Sequence, residues 1–332
     1  MTTQNIELNS KLKILVTGGA GFIGSNLCET LLNNEVKVRC LDNFSTGKKQ
    51  NVAPFMSNTD FEMIEGDIRD LETCKESCEG VDFILHQAAL GSVPRSVNDP
   101  ITSNDVNVSG FLNMLVAARD AKVKRFIYAA SSSTYGDSKA MPKVEETIGK
   151  PLSPYAITKY VNELYADVFS KTYGLETIGL RYFNVFGRRQ DPNGAYAAVI
   201  PKFTMQLMKH ESPTINGDGS FSRDFTYIDN VVKMNILAML TTNKKALNTV
   251  YNVAYGERTT LNELVAILKT YLSEFDSEIS TIDIIYGSER QGDIPHSLAS
   301  IKKGRKLLNY NPEYDIKKGL SKAVSWYWNN LK

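Results

Sequence analysis

The sequence has few of the residues that build metal sites and disulfide frameworks. Among 332 residues there are four cysteines and three histidines. Cys74 and Cys78 lie one helical turn apart, but no histidine has a motif spacing with them, so a metal site would lack half of its ligands. We therefore expect no metal site, and we expect the cysteines to be reduced thiols of a cytoplasmic protein.

The sequence also has almost no excess of positive over negative charge, and it has no long apolar runs. The formal net charge is +1, which provides no general attraction for nucleic acid or for an anionic membrane surface. No apolar run is long enough to cross a bilayer, and the first ten residues, MTTQNIELNS, contain no apolar signal core. These absences predict a cytoplasmic protein that binds neither nucleic acid nor membrane.

The first half of the chain alternates short apolar runs with helical patterns. Continuous runs rich in Val, Ile, Phe and Tyr predict strands that are buried on both faces, at 13–18, 36–42, 61–67, 81–89, 124–131 and 176–183. Helical patterns lie between them, near 22–33, 71–78, 100–121 and 153–173. This order predicts an α/β fold built on a doubly wound parallel sheet of the Rossmann type.

A glycine-rich loop, TGGAGFIG, lies between the first predicted strand and the first predicted helix. Gly18 permits a tight turn, Gly21 lets a pyrophosphate approach the backbone, and Gly24 allows close packing of helix and strand. The helix that starts near Phe22 and Ile23 offers free N–H groups to phosphates. A turn that only packs is the alternative, but the strand before it and the helix after it favour dinucleotide binding.

The acidic residue that such a site needs is present. Asp42 follows Gly24 by eighteen residues and ends the second predicted strand. Its carboxylate can accept hydrogen bonds from the ribose hydroxyls and would repel a 2′-phosphate, so NAD is favoured over NADP, although Lys48 and Lys49 lie nearby. The other predicted cofactor contacts lie at strand ends and in the loops that follow them: Asn43, Ser45, Thr46, Gly47, Asp67, Ile68, Gln87, Ala88, Ala89, Asn107 and Tyr182.

A run of hydroxyls and a Tyr–Lys pair follow further along the chain. The run SSSTYG ends the fifth predicted strand, and YAITK places Tyr155 and Lys159 on one face of a helix. The ammonium, helped by a cationic oxidised nicotinamide, would lower the pKa of the phenol from its usual value near 10, so that Tyr155 can act as a general base. Lys159 can also bind the nicotinamide ribose.

Three serines are candidates to bridge Tyr155 and a substrate alcohol, and the sequence does not rank them: Ser131, Ser132 and Ser133. A Tyr–Lys pair alone is common on exposed helix faces. Its occurrence together with the glycine loop, Asp42 and the serine run favours a catalytic role.

TGGAGFIG, SSSTYG and YAITK together resemble the extended short-chain dehydrogenase/reductase superfamily, over nearly the whole chain. RYFNVFG, RDFTYIDN and RQGDIPHS resemble its UDP-hexose 4-epimerases, and HQAALGSVPRS and PLSPYAITKYVNELYADVFS are similar to bacterial UDP-N-acetylglucosamine 4-epimerases of O-antigen synthesis. The resemblance implies an NAD-binding Rossmann domain over 1–185 and a substrate-binding lobe over 186–332 that can interleave with it. It also implies a homodimer through the helices near 100–120 and 153–173.

The resemblance implies a redox-neutral inversion at C4 of a UDP-sugar. Tyr155 would take the proton of the 4-hydroxyl while the hydride passes to NAD⁺, and the 4-keto sugar would turn and receive the hydride on its other face. Ser131, four residues before Tyr135, matches the relay hydroxyl, and Ser132 and Ser133 lie close enough to share its role. The implied substrate contacts are Ser92, Ser132, Tyr155, Asn184, the backbone around Val199, Asn216, Arg223, Arg290, Asp293 and Ser297.

Among these contacts, Arg223 and Arg290 match the diphosphate-binding arginines of the family and Asp293 matches the contact to the uridine ribose. Ser297 stands where epimerases restricted to glucose and galactose carry a tyrosine, and a serine leaves room for a 2-acetamido group. UDP-N-acetylglucosamine is therefore the expected substrate, and UDP-glucose and UDP-N-acetylglucosaminuronic acid remain open.

Other functions of the same fold fit less well. A 4,6-dehydratase has an Asp–Glu pair where this chain has Ser132 and Ser133, and neither serine can serve as that acid or base. An NADP-dependent reductase would prefer a basic residue to Asp42. A non-catalytic nucleotide sensor would typically lack Tyr155 or Lys159, and both are present.

Overall fold

The computed structural model describes residues 8–193, 198–289 and 294–331. Its strands are β1 (Lys13–Thr17), β2 (Lys37–Asp42), β3 (Phe61–Glu65), β4 (Phe83–His86), β5 (Arg125–Ser131), β6 (Thr177–Tyr182), β7 (Val185–Phe186), β8 (Thr214–Asn216), β9 (Ser222–Arg223), β10 (Thr226–Tyr227), β11 (Thr249–Val253), β12 (Thr259–Thr260) and β13 (Ile285–Gly287). Seven of them form one parallel sheet in the order β11–β6–β5–β4–β1–β2–β3. The predicted doubly wound parallel sheet is thus confirmed.

Helices cover both faces of this sheet, and others belong to a smaller lobe. The helices are α1 (Phe22–Leu32), α2 (Lys49–Val52), α3 (Leu71–Cys78), α4 (Val93–Asn98), α5 (Pro100–Asn104), α6 (Phe111–Asp120), α7 (Pro154–Tyr173), α8 (Val199–Met208), α9 (Ile228–Leu240), α10 (Leu261–Leu272), α11 (Lys302–Leu308) and α12 (Ile316–Asn330). A π-helical segment, Asp105–Gly110, joins α5 to α6, so the predicted helix near 100–121 is divided. None of the described helices is long and apolar enough to cross a membrane.

The alternation of side chains along β1 shows how the strands divide two cores. Ile14 and Val16 point to the face covered by α1 and α9, whereas Leu15 points to the face covered by α3 and α6. All three are fully buried. Continuous apolar runs are required for strands that have a core on each face, which is why these runs identified the sheet.

The second half of the chain builds a smaller lobe and also returns to the main sheet. The short pairs β7–β10, β9–β12 and β8–β13 lie outside the seven-stranded sheet, near α8, α10 and α12. Helix α9 packs on α1 and β5, and β11 pairs in parallel with β6. The edge strand of the main sheet therefore comes from residues beyond 186, and the boundary at 185 remains a prediction.

Candidate active site

The carboxyl ends of the central parallel strands open into a cavity of about 390 Å³. Most of the predicted cofactor contacts line it: Gly18, Gly21, Phe22, Ile23, Gly24, Asp42, Asn43, Ser45, Thr46, Asp67, Ile68, Gln87, Ala88, Ala89, Tyr155, Lys159 and Tyr182. This is the edge at which parallel α/β sheets bind ligands, because loops diverge there on either side of a change in strand order.

The glycine loop has the shape that a pyrophosphate needs. Gly18 has a φ of +67°, and a Cβ there would lie 2.7 Å from the backbone nitrogen of Ala88. A Cβ on Gly24 would lie 2.1 Å from the carbonyl oxygen of Gly18. A Cβ on Gly21, by contrast, would meet only that carbonyl oxygen, at 3.1 Å, so this glycine keeps the cavity side open. No side chain caps α1, and its first N–H groups remain for a phosphate.

Asp42 is held by the loops around it. Its carboxylate accepts hydrogen bonds from the backbone N–H groups of Ala20, at 2.9 Å, and Phe44, at 2.8 Å. Burial raises the pKa of Asp42 and these hydrogen bonds oppose that shift. Lys48 pairs with Asp191 at 3.0 Å and Lys49 with Glu65 at 3.2 Å. Because both lysines are occupied by carboxylates, this end of the cavity suits NAD better than NADP.

Asp67, a predicted cofactor contact, forms hydrogen bonds within the protein. Arg69 contacts its carboxylate through two nitrogens, at 3.0 and 2.7 Å, and Asn43 donates a hydrogen bond at 2.8 Å. The arginine holds the pKa of Asp67 at about 2. The carboxylate therefore stays ionised while it lines the cavity.

Two predicted cofactor contacts lie just behind the cavity wall. Gly47 packs on the carboxylate of Asp42, since a Cβ there would lie 2.8 Å from both carboxylate oxygens. Asn107 accepts a hydrogen bond from the backbone N–H of Leu90 at 2.7 Å and donates one to its carbonyl at 3.1 Å. Both residues shape the wall. The sequence patterns did not identify several lining residues that have no polar side chain: Leu41, Gly66, Leu90, Gly91, Val106, Ala129, Ala130 and Val185.

At the inner end of the cavity, Tyr155 meets Ser131. Burial raises the pKa of Tyr155, and a side-chain hydrogen bond with Ser131 lowers it. The net direction in the NAD-free protein is upward, and the expected lowering depends also on the oxidised nicotinamide. The Nζ of Lys159 donates a hydrogen bond to the carbonyl of Ala129 at 2.9 Å. Burial also lowers the pKa of Lys159, to about 8.

The hydroxyl run forms a 3₁₀ turn, Ser132–Tyr135, directly after β5. Ser131 caps this turn, and its Oγ accepts hydrogen bonds from the backbone N–H of Ser133 at 3.2 Å and from the Ser133 hydroxyl at 2.9 Å. Ser131 therefore sits between Ser133 and Tyr155. The geometry ranks it first among the three candidate relay serines.

A second cavity of about 400 Å³ adjoins the first, and Ser131 and Asn184 line both. Its other predicted lining residues are Ser132, Ser133, Arg223 and Ser297. The sequence analysis did not assign a role to the rest, most of which lie beside predicted site residues within the quoted motifs: Val93, Pro94, Tyr135, Gly136, Lys143, Phe183, Ile294 and His296.

Several predicted substrate contacts lie elsewhere. Ser92, with a φ of +100°, caps α4 by accepting a hydrogen bond from the backbone N–H of Arg95 at 3.3 Å, and only its neighbours Val93 and Pro94 line the second cavity. Val199 begins α8, Asn216 ends β8, and neither lines either cavity. Their roles stay predictions. The predicted contacts Arg290 and Asp293 lie outside the described residues.

Comparison with known proteins supports the chemistry that this site suggests. Residues 14–254 match the model of the NAD dependent epimerase/dehydratase family. A relative from Methanocaldococcus jannaschii, provisionally named UDP-glucose 4-epimerase, is 39% identical over 319 residues, which are 96% of this chain and 99% of the relative.

Solved structures are similar over the same extent. The UDP-N-acetylglucosamine 4-epimerase of Methanobrevibacter ruminantium M1, in complex with UDP-N-acetylmuramic acid, is 39% identical with a TM-score of 0.88, over 96% of this chain and 98% of that one. The UDP-glucuronic acid 4-epimerase of Bacillus cereus, in complex with UDP-glucuronic acid and NAD, is 30% identical with a TM-score of 0.86, over 96% and 99%. The chain therefore belongs to the NAD-dependent epimerase/dehydratase family of extended short-chain dehydrogenases/reductases, and these relatives support UDP-sugar 4-epimerase activity with NAD as the cofactor.

Proposed function

We propose that the protein interconverts UDP-N-acetylglucosamine and UDP-N-acetylgalactosamine by inversion at C4. The main support for this proposal is that the two cavities meet at shared lining residues. Ser131 lines both, and it interacts with Tyr155, which lines the first. A sugar hydroxyl placed at this junction can reach both groups while the rest of the sugar nucleotide occupies the second cavity.

In this mechanism Tyr155 removes the proton from the 4-hydroxyl, with Ser131 relaying or orienting it, and returns a proton at the end. The cavity lined by Gly18, Asp42 and Lys159 would hold NAD, which would supply a reversible hydride acceptor for C4 and a positive charge that favours the phenolate of Tyr155. Lys159 has one donor on the Ala129 carbonyl and can offer the others to a ribose hydroxyl. Burial raises the pKa of Tyr155. Positive charge close to its hydroxyl would lower this pKa and so allow the phenolate to form.

Inversion requires the 4-keto sugar to turn while its diphosphate stays in place. We assign the diphosphate to Arg223, which lines the second cavity. The walls supplied by Val93, Pro94 and Phe183 are apolar. Such walls form no directional hydrogen bonds, and they can therefore accept either face of the hexose.

The choice of sugar rests on Ser297, which lines the second cavity. Its small side chain supports a 2-acetamido group at this position. UDP-glucose and UDP-N-acetylglucosaminuronic acid remain alternatives, because relatives and neighbours include UDP-glucose and UDP-glucuronate 4-epimerases. The comparisons thus support the reaction more strongly than the sugar.

The same proposal includes a homodimer. Helices α4, α5 and α7 carry exposed apolar side chains, and a cluster of such side chains is typical of a protein–protein interface. They are Val97, Ile101, Ile157, Leu164 and Val168. Helices α4, α5 and α7 contact one another, so these side chains lie on neighbouring elements and form an apolar patch. A symmetric partner that uses the same patch would cover it.

The test is an incubation of the purified protein with UDP-N-acetylglucosamine, without added cofactor, and NMR analysis of the products. Interconversion at C4 is expected. Tyr155→Phe should abolish turnover and retain NAD and the fold, and Tyr160→Phe, on the same helix outside both cavities, should remain active. A stable keto product would indicate an oxidase or dehydratase, and absence of turnover with every UDP-sugar would favour a non-catalytic sensor.

A further inference from the structure

Most buried lysines and arginines of the described residues form ion pairs with carboxylates, and two do not. Among the described residues, the lysines and arginines that are buried are Arg39, Arg125, Lys143, Lys159, Arg181 and Lys233. Four of them form ion pairs with carboxylates, namely Arg39 with Glu62, Arg125 with Glu176, Arg181 with Glu163 and Lys233 with Glu313. Within the described chain, Lys143 and Lys159 have no such partner. A buried charge without a counter-charge is costly, so each exception needs an explanation.

Both exceptions line a ligand cavity. Lys159 lines the cofactor cavity, where a ribose and a phenolate account for it, and Lys143 lines the second cavity. The described lining of this second cavity contains no carboxylate, and its other full cation is Arg223. Since Arg223 is assigned to the diphosphate, the charge of Lys143 is left for the sugar.

The backbone fixes Lys143 beside Ser297. Its N–H donates a hydrogen bond to the carbonyl of Leu298 at 2.8 Å, and its carbonyl accepts one from the N–H of Ser300 at 2.8 Å. Asn252, which is fully buried, also donates to this carbonyl, at 3.0 Å. Lys143 therefore lies on the same cavity wall as Ser297, the residue assigned to the hexose, and it cannot move away without breaking these bonds.

The ammonium of Lys143 has unused hydrogen-bonding capacity. Its Nζ donates to the backbone carbonyl of Ser138, a neutral acceptor, which occupies one of its three donors. Burial lowers the pKa of Lys143. A bound carboxylate would supply the missing counter-charge and stabilise the protonated form.

We propose that Lys143 is a specificity-determining residue that binds a carboxylate on the hexose, so that this site prefers UDP-hexuronic acids to the corresponding neutral UDP-hexoses. The inference rests on the proposed C4 epimerisation, and it moves the preferred substrate from UDP-N-acetylglucosamine to a uronic acid, one of the alternatives left open above. Together with the space beside Ser297, it favours a UDP-2-acetamido-hexuronic acid. A neutral 6-hydroxyl can accept a hydrogen bond from the ammonium but cannot neutralise it.

Two matched pairs of substrates test this inference, each pair differing only in the oxidation of C6. They are UDP-N-acetylglucosaminuronic acid with UDP-N-acetylglucosamine, and UDP-glucuronic acid with UDP-glucose. In the wild type, kcat/KM should be about ten- to a hundredfold higher for the acid of each pair, the effect of a hydrogen bond to a charged group. The preference should lie mainly in KM, because the carboxylate does not react.

Lys143→Met should remove the preference in both pairs, because kcat/KM should fall more for the acid than for the neutral sugar of each pair. Lys143→Arg, which keeps the charge, should retain part of it. Lys139→Met, an exposed lysine of the same segment, is the control and should behave as wild type. An equal loss with acids and neutral sugars in Lys143→Met, or no preference in the wild type, would overturn the inference.

The failure of this inference is distinguishable from that of the proposed function. If the wild type turns over neutral sugars without a preference for acids, the epimerase proposal stands and only the role of Lys143 is wrong. If no sugar is turned over, calorimetric titration of the same four ligands into wild type and Lys143→Arg still tests the role of Lys143. The predicted tighter binding of the acid than of the neutral sugar in each pair does not depend on turnover, and equal affinities would overturn the inference. If Lys143→Met does not fold, Lys143→Arg and the wild-type preference decide in the same way.

Discussion

The guanidinium of Arg181 and the carboxylate of Glu163 form a buried bidentate ion pair, with N–O distances of 2.8 and 2.7 Å. Arg181 is on β6, and Glu163 is on α7 one turn beyond Lys159. Arg181 also donates to the carbonyl of Glu145 at 3.0 Å and lies over the ring of Tyr135, 4.9 Å from its centroid. The pair thus fixes the helix that carries Tyr155 to the sheet that carries Ser131.

Removing one member of this pair should be strongly destabilising. Glu163→Leu leaves the charge of Arg181 buried and unpaired, so the free energy of unfolding should fall by about 3–5 kcal/mol. Asp167→Asn is the control, because Asp167 pairs with Lys171 on the exposed side of the same helix and should change stability by about 0.5 kcal/mol or less. Urea unfolding measures both, and similar losses in the two variants would contradict the assigned role.

Ser131→Ala tests the ranking of the serines. It removes the hydrogen bond that lowers the pKa of Tyr155, so kcat should fall by about ten- to a hundredfold and the pH–rate profile should move to higher pH. Ser132→Ala and Ser133→Ala should have smaller effects on kcat. Steady-state kinetics from about pH 6 to about pH 10, the usual pKa of tyrosine, measure this, and a larger effect of Ser133→Ala would reverse the ranking.

The sequence predicted those parts of the site that depend on the spacing of residues close together in the chain. Gly18, Gly24 and Asp42 belong to one strand–loop–helix–strand unit, and the i, i+4 spacing placed Tyr155 and Lys159 correctly on α7. The burial that raises the pKa of Tyr155 could not be predicted, because it depends on elements far apart in the chain. Lys143 was missed for a related reason. It reaches the cavity through pairing with Leu298 and Ser300, about 155 residues away, and no periodicity indicates such a contact.

Lys159 should reduce the stability of the NAD-free protein near neutral pH. Its folded pKa, about 8, lies below the unfolded value of 10.5. Below pH 8 the folded state carries the full penalty of a buried charge, and as pH rises from 8 to 10.5 the folded state loses this proton first and becomes relatively more stable.

Lys159→Met should therefore raise the free energy of unfolding at pH 7 by about 1–3 kcal/mol, with loss of turnover. The difference from the wild type should shrink toward pH 10. Urea titrations of the NAD-free proteins at pH 7, 8.5 and 10 measure it. A less stable variant at pH 7 would show that the hydrogen bond to Ala129 outweighs the buried charge.

Ser297→Tyr tests the pocket argument. The tyrosine ring should reduce kcat/KM for 2-acetamido sugars by at least about tenfold, because even one extra methylene in a pocket changes transition-state binding by about 1–3 kcal/mol. UDP-glucose, which lacks the acetamido group, should be affected less. Ser297→Ala should preserve turnover of both classes. Parallel kinetics with UDP-N-acetylglucosamine and UDP-glucose give the comparison, and an equal loss on both would remove Ser297 as the selector.

Ile101→Glu tests the dimer. Ile101 is 74% exposed on α5 within the apolar patch, and a charge there should disfavour burial against a partner and produce monomers. Met56→Glu, at an exposed apolar residue outside the patch, is the control. Sedimentation velocity of wild type and variants measures the mass, and a dimeric Ile101→Glu or a monomeric wild type would contradict the proposal.

The position of β11 has a consequence for protein engineering. This strand forms the sheet edge next to β6 after the chain has already built much of the smaller lobe. A fragment ending at residue 185 would leave β6 as a bare edge and uncover the apolar surface that α9 protects, a combination that promotes aggregation. Exchange of specificity between family members is therefore best attempted by grafting individual cavity-lining segments, because a single crossover after β6 would pair β6 of one parent with β11 and α9 of the other.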